Sequence, residues 1–144
     1  MADETPAQSN GAAQPNLALQ GVYLKDCSYE SPLGPRADAN FQPQINLDLA
    51  TNATAIQDNL QEVVLTVTVS AKVQDRTMFL VEATQGGIFR IGGMLQEQIE
   101  LVLGVACPNV LFPYLRETVS EAVGRAGFMP LYLNPVNFEA IYAQ

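Results

Sequence analysis

Several stretches of the chain alternate apolar and polar residues, the side-chain pattern of β-strands with one buried face. In residues 63–73, β-branched and other apolar residues fill every second position, with mostly polar residues between them. A side-chain period of two with heavy β-branching predicts a strand. A shorter alternation at 45–49 predicts another strand, followed by a polar turn at 51–58. The short connection 74–76 predicts an antiparallel hairpin into a strand at 77–84.

The first strand pattern begins at Leu17 and predicts two faces. Asp26 and Glu30 are four positions apart, so they should project from the same face, together with Leu24. The alternation also assigns Val22 and Ser28 to this face. The opposite face is predicted to carry Leu17, Leu19, Tyr23, Cys27 and Tyr29.

The predicted strand at 77–84 is apolar on both faces. Phe79, Val81 and Ala83 share one face, while Met78 and Leu80 lie on the other with Glu82. A sheet with one solvent-exposed face does not need a second apolar side. The pattern therefore predicts either helices on both sides of this strand or a contact with another protein.

The last third of the chain has helical periodicity. Residues 94–103 predict one helix, 104–109 a break, and the next stretch a helix with Pro113 in its first turn, ended by Gly124 and Gly127. A short helix is predicted before Tyr142. The glycine pairs at 86–87 and 92–93 lack the spacing of a phosphate loop and are interpreted as backbone turns between strand and helix.

Strands first and helices last predict an α+β fold, an antiparallel sheet with helices packed on one face. Residues 1–16 lack apolar periodicity and are predicted to be a disordered N-terminal tail. Residues 17–144 suit a single domain. A domain of this length can bury a core without disulfide or metal cross-links.

Composition narrows the functional classes. Seven basic and fifteen acidic residues give a net charge of −8. Nucleic acids and anionic membrane surfaces recruit basic residues, so neither is expected as a partner. Histidine is absent, which removes the commonest general base and a frequent metal ligand. With no nucleophile motif and no nucleotide loop, we expect neither an enzyme nor a cofactor nor a bound metal.

The two cysteines, Cys27 and Cys107, lie 80 positions apart. The first residues of the chain are acidic and polar. That start lacks the layout of an export signal, and no apolar run approaches the length of about 20 residues that a membrane span needs. We therefore expect a cytoplasmic protein with reduced thiols.

Two groups of side chains are candidate binding residues, and each has an ordinary structural interpretation. Asp26 with Glu30, and Leu80 with Glu82, could form an acidic docking face with apolar anchors, or simply a solvated surface. Aromatic residues near loops and helix ends could line a groove for apolar peptide segments, or belong to the core. Composition leaves both pairs of alternatives open. These aromatics include Tyr29, Phe41, Phe112, Tyr114 and Phe138.

Four segments together resemble one family. They read VYLKDCSYESP at 22–32, FLVEATQGGIF at 79–89, CPNVLFPYLRE at 107–117 and LNPVNFEA at 133–140. In order and spacing they resemble SecB, a bacterial protein-export chaperone family, over about residues 17–142. The segment at 107–114 is the most specific of them.

The resemblance implies a four-stranded sheet with helices on one face that assembles as a dimer of dimers, a homotetramer. It implies a holdase without ATP that binds unfolded secretory preproteins and delivers them to the SecA motor. Matching positions imply that Asp26, Glu30, Leu80 and Glu82 dock SecA. They also imply that subunits pack around Val81, Ala83 and Gln85. An apolar client groove would be walled by Tyr29, Phe41, Phe112, Tyr114 and Phe138.

Two departures and two alternatives accompany this expectation. Phe41 stands where family members often carry a tryptophan, and the polar C-terminal tail found in many members does not follow Gln144.

A small-molecule or lipid carrier with an aromatic cavity is an alternative from another class. A SecB-like chaperone serving a specialised client, such as an antitoxin, is an alternative within the fold.

Overall fold

Four long strands form a single antiparallel sheet in the computed structural model, which describes residues 14–35 and 42–144. They are β1 (Asn16–Glu30), β2 (Gln44–Gln57), β3 (Leu60–Val73) and β4 (Arg76–Gly92). The strand order is β1-β4-β3-β2, so β1 and β2 form the edges. The predicted four-stranded antiparallel sheet is confirmed. Residues 1–13 of the predicted tail lie outside the described residues.

The hairpin turns follow from the residues between the strands. Gln74 and Asp75 join β3 to β4 with φ of 52° and 66°, and two successive positive φ angles are typical of the type I′ turn, which matches the strand twist. The polar turn predicted at 51–58 is wrong for most of its length. Strand β2 continues to Gln57 because its backbone pairs with β3 along that whole stretch.

Three helices follow the sheet: α1 (Gln96–Leu101), α2 (Cys107–Arg125) and α3 (Phe138–Tyr142). A π-helical turn, Val102–Ala106, joins α1 to α2, so the predicted break at 104–109 is wrong. The helix start predicted around Pro113 is also wrong, because α2 begins earlier and contains that proline. The short final helix is confirmed as α3.

Capping residues fix the ends of α2. Pro108 lies in its first turn, where a missing N–H costs little. At the other end Gly127 adopts φ of 101°, and the amide of Phe128 donates to the carbonyl of Val123 at 3.3 Å. This is the arrangement of a Schellman motif, for which glycine is favoured. The predicted role of Gly127 in ending the helix is confirmed.

The core lies between the sheet and α2, which packs on β4 and β3. In α2 the buried stripe recurs every fourth residue, so one face of the helix meets the sheet. We call this side of the sheet the helix side and the opposite side the outer face. The core side chains include Val63, Leu65, Val67, Val69 and Ala71 from β3 and Leu111, Leu115, Val119 and Val123 from α2.

Two glycines that we interpreted as turns lie inside β4, which runs on to Gly92. Gly86 and Gly87 are needed because other groups occupy the space of a side chain. A Cβ on Gly87 would lie 2.8 Å from Cδ2 of Leu111. Glycine inside a strand often marks such a close approach. The predicted end of this strand at residue 84 is therefore wrong.

The doubly apolar character of β4 has a local cause. The pairing with β3 shifts between Phe79 and Thr77, which leaves Met78 without a partner in the register. Met78 turns into the core and is 7% exposed. Among the apolar residues at 77–84, only Leu80 remains on the outer face. The pattern therefore does not require helices on both sides of the sheet.

The helical run from Gln96 to Arg125 is long and apolar enough, by length and composition, to cross a membrane. We interpret its apolar stripe as the face that packs on the sheet, because eight residues of α2 are buried in the protein. Both cysteines are free, Cys27 exposed and Cys107 buried.

Candidate functional site

The outer face brings together the four residues predicted to form a docking surface. In the register of β1 with β4, Ser28 pairs with Glu82 and Glu30 pairs with Leu80. Asp26 pairs with Thr84, so Glu82 lies diagonally between Asp26 and Glu30. Diagonal neighbours on one face of a sheet are about 7 Å apart. The prediction that these side chains share a face is confirmed by this register.

The exposure and hydrogen bonding of these four residues make the surface acidic, with one apolar side chain. Asp26, Glu30 and Glu82 are exposed and Leu80 is half-buried. The hydroxyl of Thr68 donates to Oε2 of Glu82 at 3.1 Å. Glu30 lies across from Leu80 and Glu82 lies two positions along β4, with Asp26 further along the same face. Carboxylates beside an apolar side chain suit a basic partner with an apolar contact. We call Asp26, Glu30, Leu80 and Glu82 the acidic patch.

The acidic row extends further than the sequence indicated. Asp48 on β2 pairs with Thr68 on β3, which in turn pairs with Glu82. Asp48 is exposed and follows the same face across the sheet. Alternation within β2 gave the face of Asp48, but only the register between strands aligns it with Glu82.

The predicted faces of β1 are wrong for Val22, Tyr23 and Leu24 and right for Leu17 and Leu19, because a second shift in the pairing lies between Leu19 and Gly21. The pairing with β4 shifts between Leu24 and Asp26, so Lys25 is an extra residue on β1. Such an insertion is a β-bulge, and it reverses the alternation on one side of it. As a result Leu24 and Val22 lie on the helix side, and Tyr23 lies on the outer face.

Tyr23, Lys25 and Glu62 form a polar cluster on the outer face that the sequence did not predict. The Tyr23 hydroxyl donates to Oε2 of Glu62, and Nζ of Lys25 lies 3.1 Å from the same oxygen. The hydrogen bond from Tyr23 and that from Lys25 lower the pKa of Glu62. Desolvation and the adjacent carboxylate raise the pKa of Tyr23 to about 12. We call these three residues the Tyr23 cluster.

One group of aromatic rings lies on the helix side near the end of β1. The rings of Tyr29 and Phe79 are stacked, with centroids 6.3 Å apart. Phe79 also contacts Phe128 at 5.1 Å in a tilted arrangement. The sequence pattern placed Phe79 on the apolar face of its strand with Val81 and Ala83, and it left Phe128 between the core and the groove. The signal that could have found them is that both lie next to segments rich in apolar residues.

A second aromatic group holds α3 on α2. The rings of Phe112 and Phe138 meet edge to face with centroids 6.0 Å apart, and the guanidinium of Arg116 lies over Phe112 at 5.7 Å. Phe112 is 4% exposed and Phe138 is 3% exposed. Both rings are therefore part of the hydrophobic core. Tyr114 is exposed, and Phe41 lies outside the described residues.

An open cleft of about 490 Å³ separates the end of α2 from β1. The phenolic oxygen of Tyr29 is buried and has no hydrogen-bond partner within the described residues. Burial, followed by the charge of Asp26, raises the pKa of the Cys27 thiol. The cleft is lined by Leu24, Cys27, Tyr29, Thr118, Glu121, Ala122, Arg125 and Ala126.

Apolar side chains remain exposed at both edges of the helix side. Helix α2 packs on the central strands β4 and β3, which leaves the flanking strands partly uncovered. Contiguous exposed apolar surface commonly marks a site for another polypeptide. These side chains are Leu17, Leu19 and Leu24 on β1 and Ile45 and Leu47 on β2, each between 38% and 49% exposed.

The three predicted assembly positions lie in the core of the chain itself. Val81 and Ala83 are fully buried and Gln85 is 4% exposed. They belong to the helix side of β4, where the register aligns them with Val69, Val67 and Leu65 of β3. Their side chains therefore contact residues of the same chain.

Comparisons with known proteins agree with this architecture. Residues 10–144 match the family described as preprotein translocase subunit SecB. The protein-export protein SecB of Nitrosospira multiformis is 53% identical over 137 residues, covering 94% of this chain and 86% of its own length. The protein-export protein SecB of Nitrosomonas eutropha is 54% identical over 134 residues, covering 91% and 84%.

A solved structure shares the fold at low sequence identity. The SecB-like chaperone Rv1957 of Mycobacterium tuberculosis, in complex with a ChAD peptide from the HigA1 antitoxin, matches with a TM-score of 0.72 and 15% identity. The match covers 83% of this chain and 90% of that one. The carrier alternative finds no support in these comparisons, and the resemblance noted in the sequence is confirmed. The chain belongs to the SecB family of protein-export chaperones.

Proposed function

We propose that this protein is an ATP-independent holdase that binds unfolded secretory preproteins in the cytoplasm and delivers them to SecA for export across the inner membrane. Membership in the SecB family supports this role. The observation that carries it is the difference between the two sides of the sheet. The outer face carries the exposed carboxylates of Asp26, Glu30, Asp48 and Glu82, whereas the helix side leaves apolar side chains exposed at both edges.

Client binding would use the apolar surface of the helix side. An unfolded preprotein exposes apolar segments, and burying them contributes about 25 cal/mol per Å². Several segments bound at once gain from effective concentration, so overall affinity can exceed that of any single contact. Release would come from a partner, because the chain carries no nucleotide-binding loop.

The groove wall would combine exposed and supporting aromatics. We propose that Tyr114 and Phe41 contact clients directly. Tyr29 would border the cleft beside α2. Phe112 and Phe138 would support the groove wall from within the core, because their rings are buried and hold α3 against α2.

SecA would dock on the acidic patch. Asp26, Glu30 and Glu82 supply exposed negative charge on the face that also carries the apolar Leu80. Complementary charge increases the rate and specificity of association more than the final affinity. Exposed charges are screened within about 8 Å at physiological salt, so docking should weaken as salt is added.

We further propose that four copies assemble as a dimer of dimers. Val81, Ala83 and Gln85 would influence assembly indirectly, because they lie in the core beneath the helices. Larger or polar side chains there would shift α2 on the sheet and so change the surface that the helices present to another subunit.

Native mass spectrometry of the purified protein, mixed with a slow-folding non-native polypeptide, tests this proposal. A homotetramer that retains the non-native chain is expected. The folded form of the same polypeptide is the matched control and should not be retained. A monomer that ignores the unfolded chain would contradict the proposed function and return the small-molecule carrier to consideration.

A further inference from the structure

The orientation of the acidic patch depends on the β-bulge at Lys25. Tyr23 pairs with Gly86 and Asp26 pairs with Thr84, so three steps along β1 match two steps along β4. In a regular strand three steps lead to the opposite face. The extra residue is therefore what brings Asp26 to the outer face beside Tyr23.

Tyr23 and Lys25 hold this bulge against the sheet by packing on Gly86. A Cβ on Gly86 would lie 2.5 Å from Cε2 of Tyr23 and 3.2 Å from Cδ of Lys25. The two side chains therefore occupy the space above this glycine. A bulge disrupts the local backbone pairing, so contacts of this kind decide its geometry.

The polar ends of the same side chains fasten the bulge to a third strand. The Tyr23 hydroxyl and the Lys25 ammonium group both bind Oε2 of Glu62 on β3. Both side chains thus reach across β4, which lies between β1 and β3. Hydrogen bonds with an ionised partner are the stronger kind, and the carboxylate of Glu62 is one.

We propose that the Tyr23 cluster positions the acidic patch: Tyr23, Lys25 and Glu62 fix the bulge that sets the direction of Asp26 and Glu30. They act as positioning residues and need not contact the partner themselves. The inference rests on the proposed docking of SecA on the outer face and adds residues that decide whether this surface is preorganised.

The charge of Lys25 allows a test that separates positioning from simple electrostatics. Lys25→Gln makes the face more acidic, so a charge effect alone would tighten the binding of a basic partner. Loss of positioning would weaken it. We expect SecA to bind Lys25→Gln and Tyr23→Phe about three- to tenfold more weakly than the wild type. Lys25→Arg should restore most of the affinity.

Lys72→Gln is the matched control, because Lys72 is exposed at the far end of β3 and loses the same charge without touching the bulge. It should bind SecA at least as tightly as the wild type. Amide hydrogen exchange should be faster at Asp26 and Cys27 in the Lys25→Gln and Tyr23→Phe variants. Retention of an unfolded client should be unchanged in all four variants.

Two results would overturn the inference in different ways. If Lys25→Gln binds SecA as tightly as Lys72→Gln does, the Tyr23 cluster does not position the patch, although docking there stands. If Asp26→Asn with Glu82→Gln also leaves SecA binding unchanged, the docking surface itself is wrong and the positioning role fails with it.

Discussion

The hydroxyl of Thr68 donates a hydrogen bond to Oε2 of Glu82 at 3.1 Å, joining neighbouring strands on the outer face. This bond restrains a carboxylate that also lies between Asp26 and Glu30 in the register. Glu82 is thus the central and best-fixed charge of the acidic patch.

Neutralising two charges of the acidic patch should weaken docking without affecting client binding. We expect Asp26→Asn with Glu82→Gln to lower SecA affinity about tenfold at low salt, with a smaller difference at high salt because exposed charges are screened. Isothermal titration calorimetry at two salt concentrations measures this. The charge-matched control, Asp58→Asn with Asp75→Asn, changes only exposed turn residues. An equal loss of affinity in this control would contradict a localised site.

The Tyr23 cluster should make stability depend on pH in a predictable direction. The hydrogen bond from Tyr23 and that from Lys25 lower the pKa of Glu62 below its usual 4.5. Its contribution to the free energy of unfolding is therefore present at neutral pH and lost as the pH falls through the folded-state pKa. Urea denaturation should show wild type more stable than Glu62→Gln near pH 7, with the difference disappearing in acid. A difference independent of pH would contradict this assignment.

Ionisation of the Tyr23 phenol should occur only near pH 12, to which burial and the neighbouring Glu62 raise its pKa. Because the folded-state pKa is raised above the usual 10.0, this contribution to stability holds below pH 10 and is lost as the pH rises through about 12. Ultraviolet difference titration of wild type against Tyr23→Phe measures the transition. A Tyr23 transition centred at pH 10 would show that the bond to Glu62 is not maintained in solution.

Replacing Gly87 should destabilise the contact between sheet and helix. A Cβ at Gly87 would lie 2.8 Å from Cδ2 of Leu111 and 2.9 Å from the ring of Phe89. Overpacking of this kind costs about 1–3 kcal/mol, so Gly87→Ala should lower the melting temperature. Gly21→Ala is the control, since a Cβ at Gly21 would meet nothing within 4 Å. Equal melting temperatures for the two variants would contradict the tight packing of α2 on β4.

The two thiols should differ strongly in reactivity. Cys107 is fully buried, and desolvation raises its pKa to about 12. Because the thiolate is the reactive form, Cys107 should react with a maleimide only after denaturation. Cys27 is exposed and should react slowly in the folded protein, since its pKa is also raised. Mass spectrometry of wild type and Cys27→Ser checks this; rapid labelling of folded Cys27→Ser would show that α2 opens readily.

Tyr114 and Phe138 should separate client binding from stability. Tyr114 is 45% exposed, so Tyr114→Ser should change the free energy of unfolding by only about 0.5 kcal/mol while weakening client retention. Phe138 is 3% exposed, so Phe138→Ala should cost about 3–5 kcal/mol. Urea denaturation and an aggregation-suppression assay measure the two effects. Unchanged suppression by Tyr114→Ser would remove Tyr114 from the groove.

The sequence predicted regular elements well wherever one period held throughout. In β3 every second residue from Val63 to Ala71 is fully buried, because an uninterrupted strand alternates its side chains between two faces. The buried stripe of α2 followed its helical period in the same way. Local periodicity is sufficient when no residue is inserted.

Residues inserted into a strand without a partner in the register were not predictable from the sequence pattern. The bulge at Lys25 reversed the predicted faces of Tyr23 and Leu24, and the unpaired Met78 imitated a second apolar face on β4. Gly104 was interpreted as part of a break, yet a Cβ there would lie 2.4 Å from Cδ2 of Tyr142. Each of these positions depends on contacts with residues far away in the chain, which no local pattern contains.

The candidate site was predictable in parts and not as a whole. Residues an even number of positions apart in a strand share a face. This rule predicts that Asp26 lies with Glu30 and that Leu80 lies with Glu82. Whether the two pairs meet depends on the register of β1 against β4, which spacing within a single strand does not give. The Tyr23 cluster was missed because its three members come from two distant segments.

The sheet is a single layer, with helices on one side and threonine hydroxyls among the carboxylates on the other. Under the proposed roles, cargo and motor would approach from opposite directions and would not compete for the same atoms. A three-component complex is then sterically permitted, and handover requires no prior dissociation. Binding of the motor on the outer face would then be separated from the bound cargo by only one layer of strands.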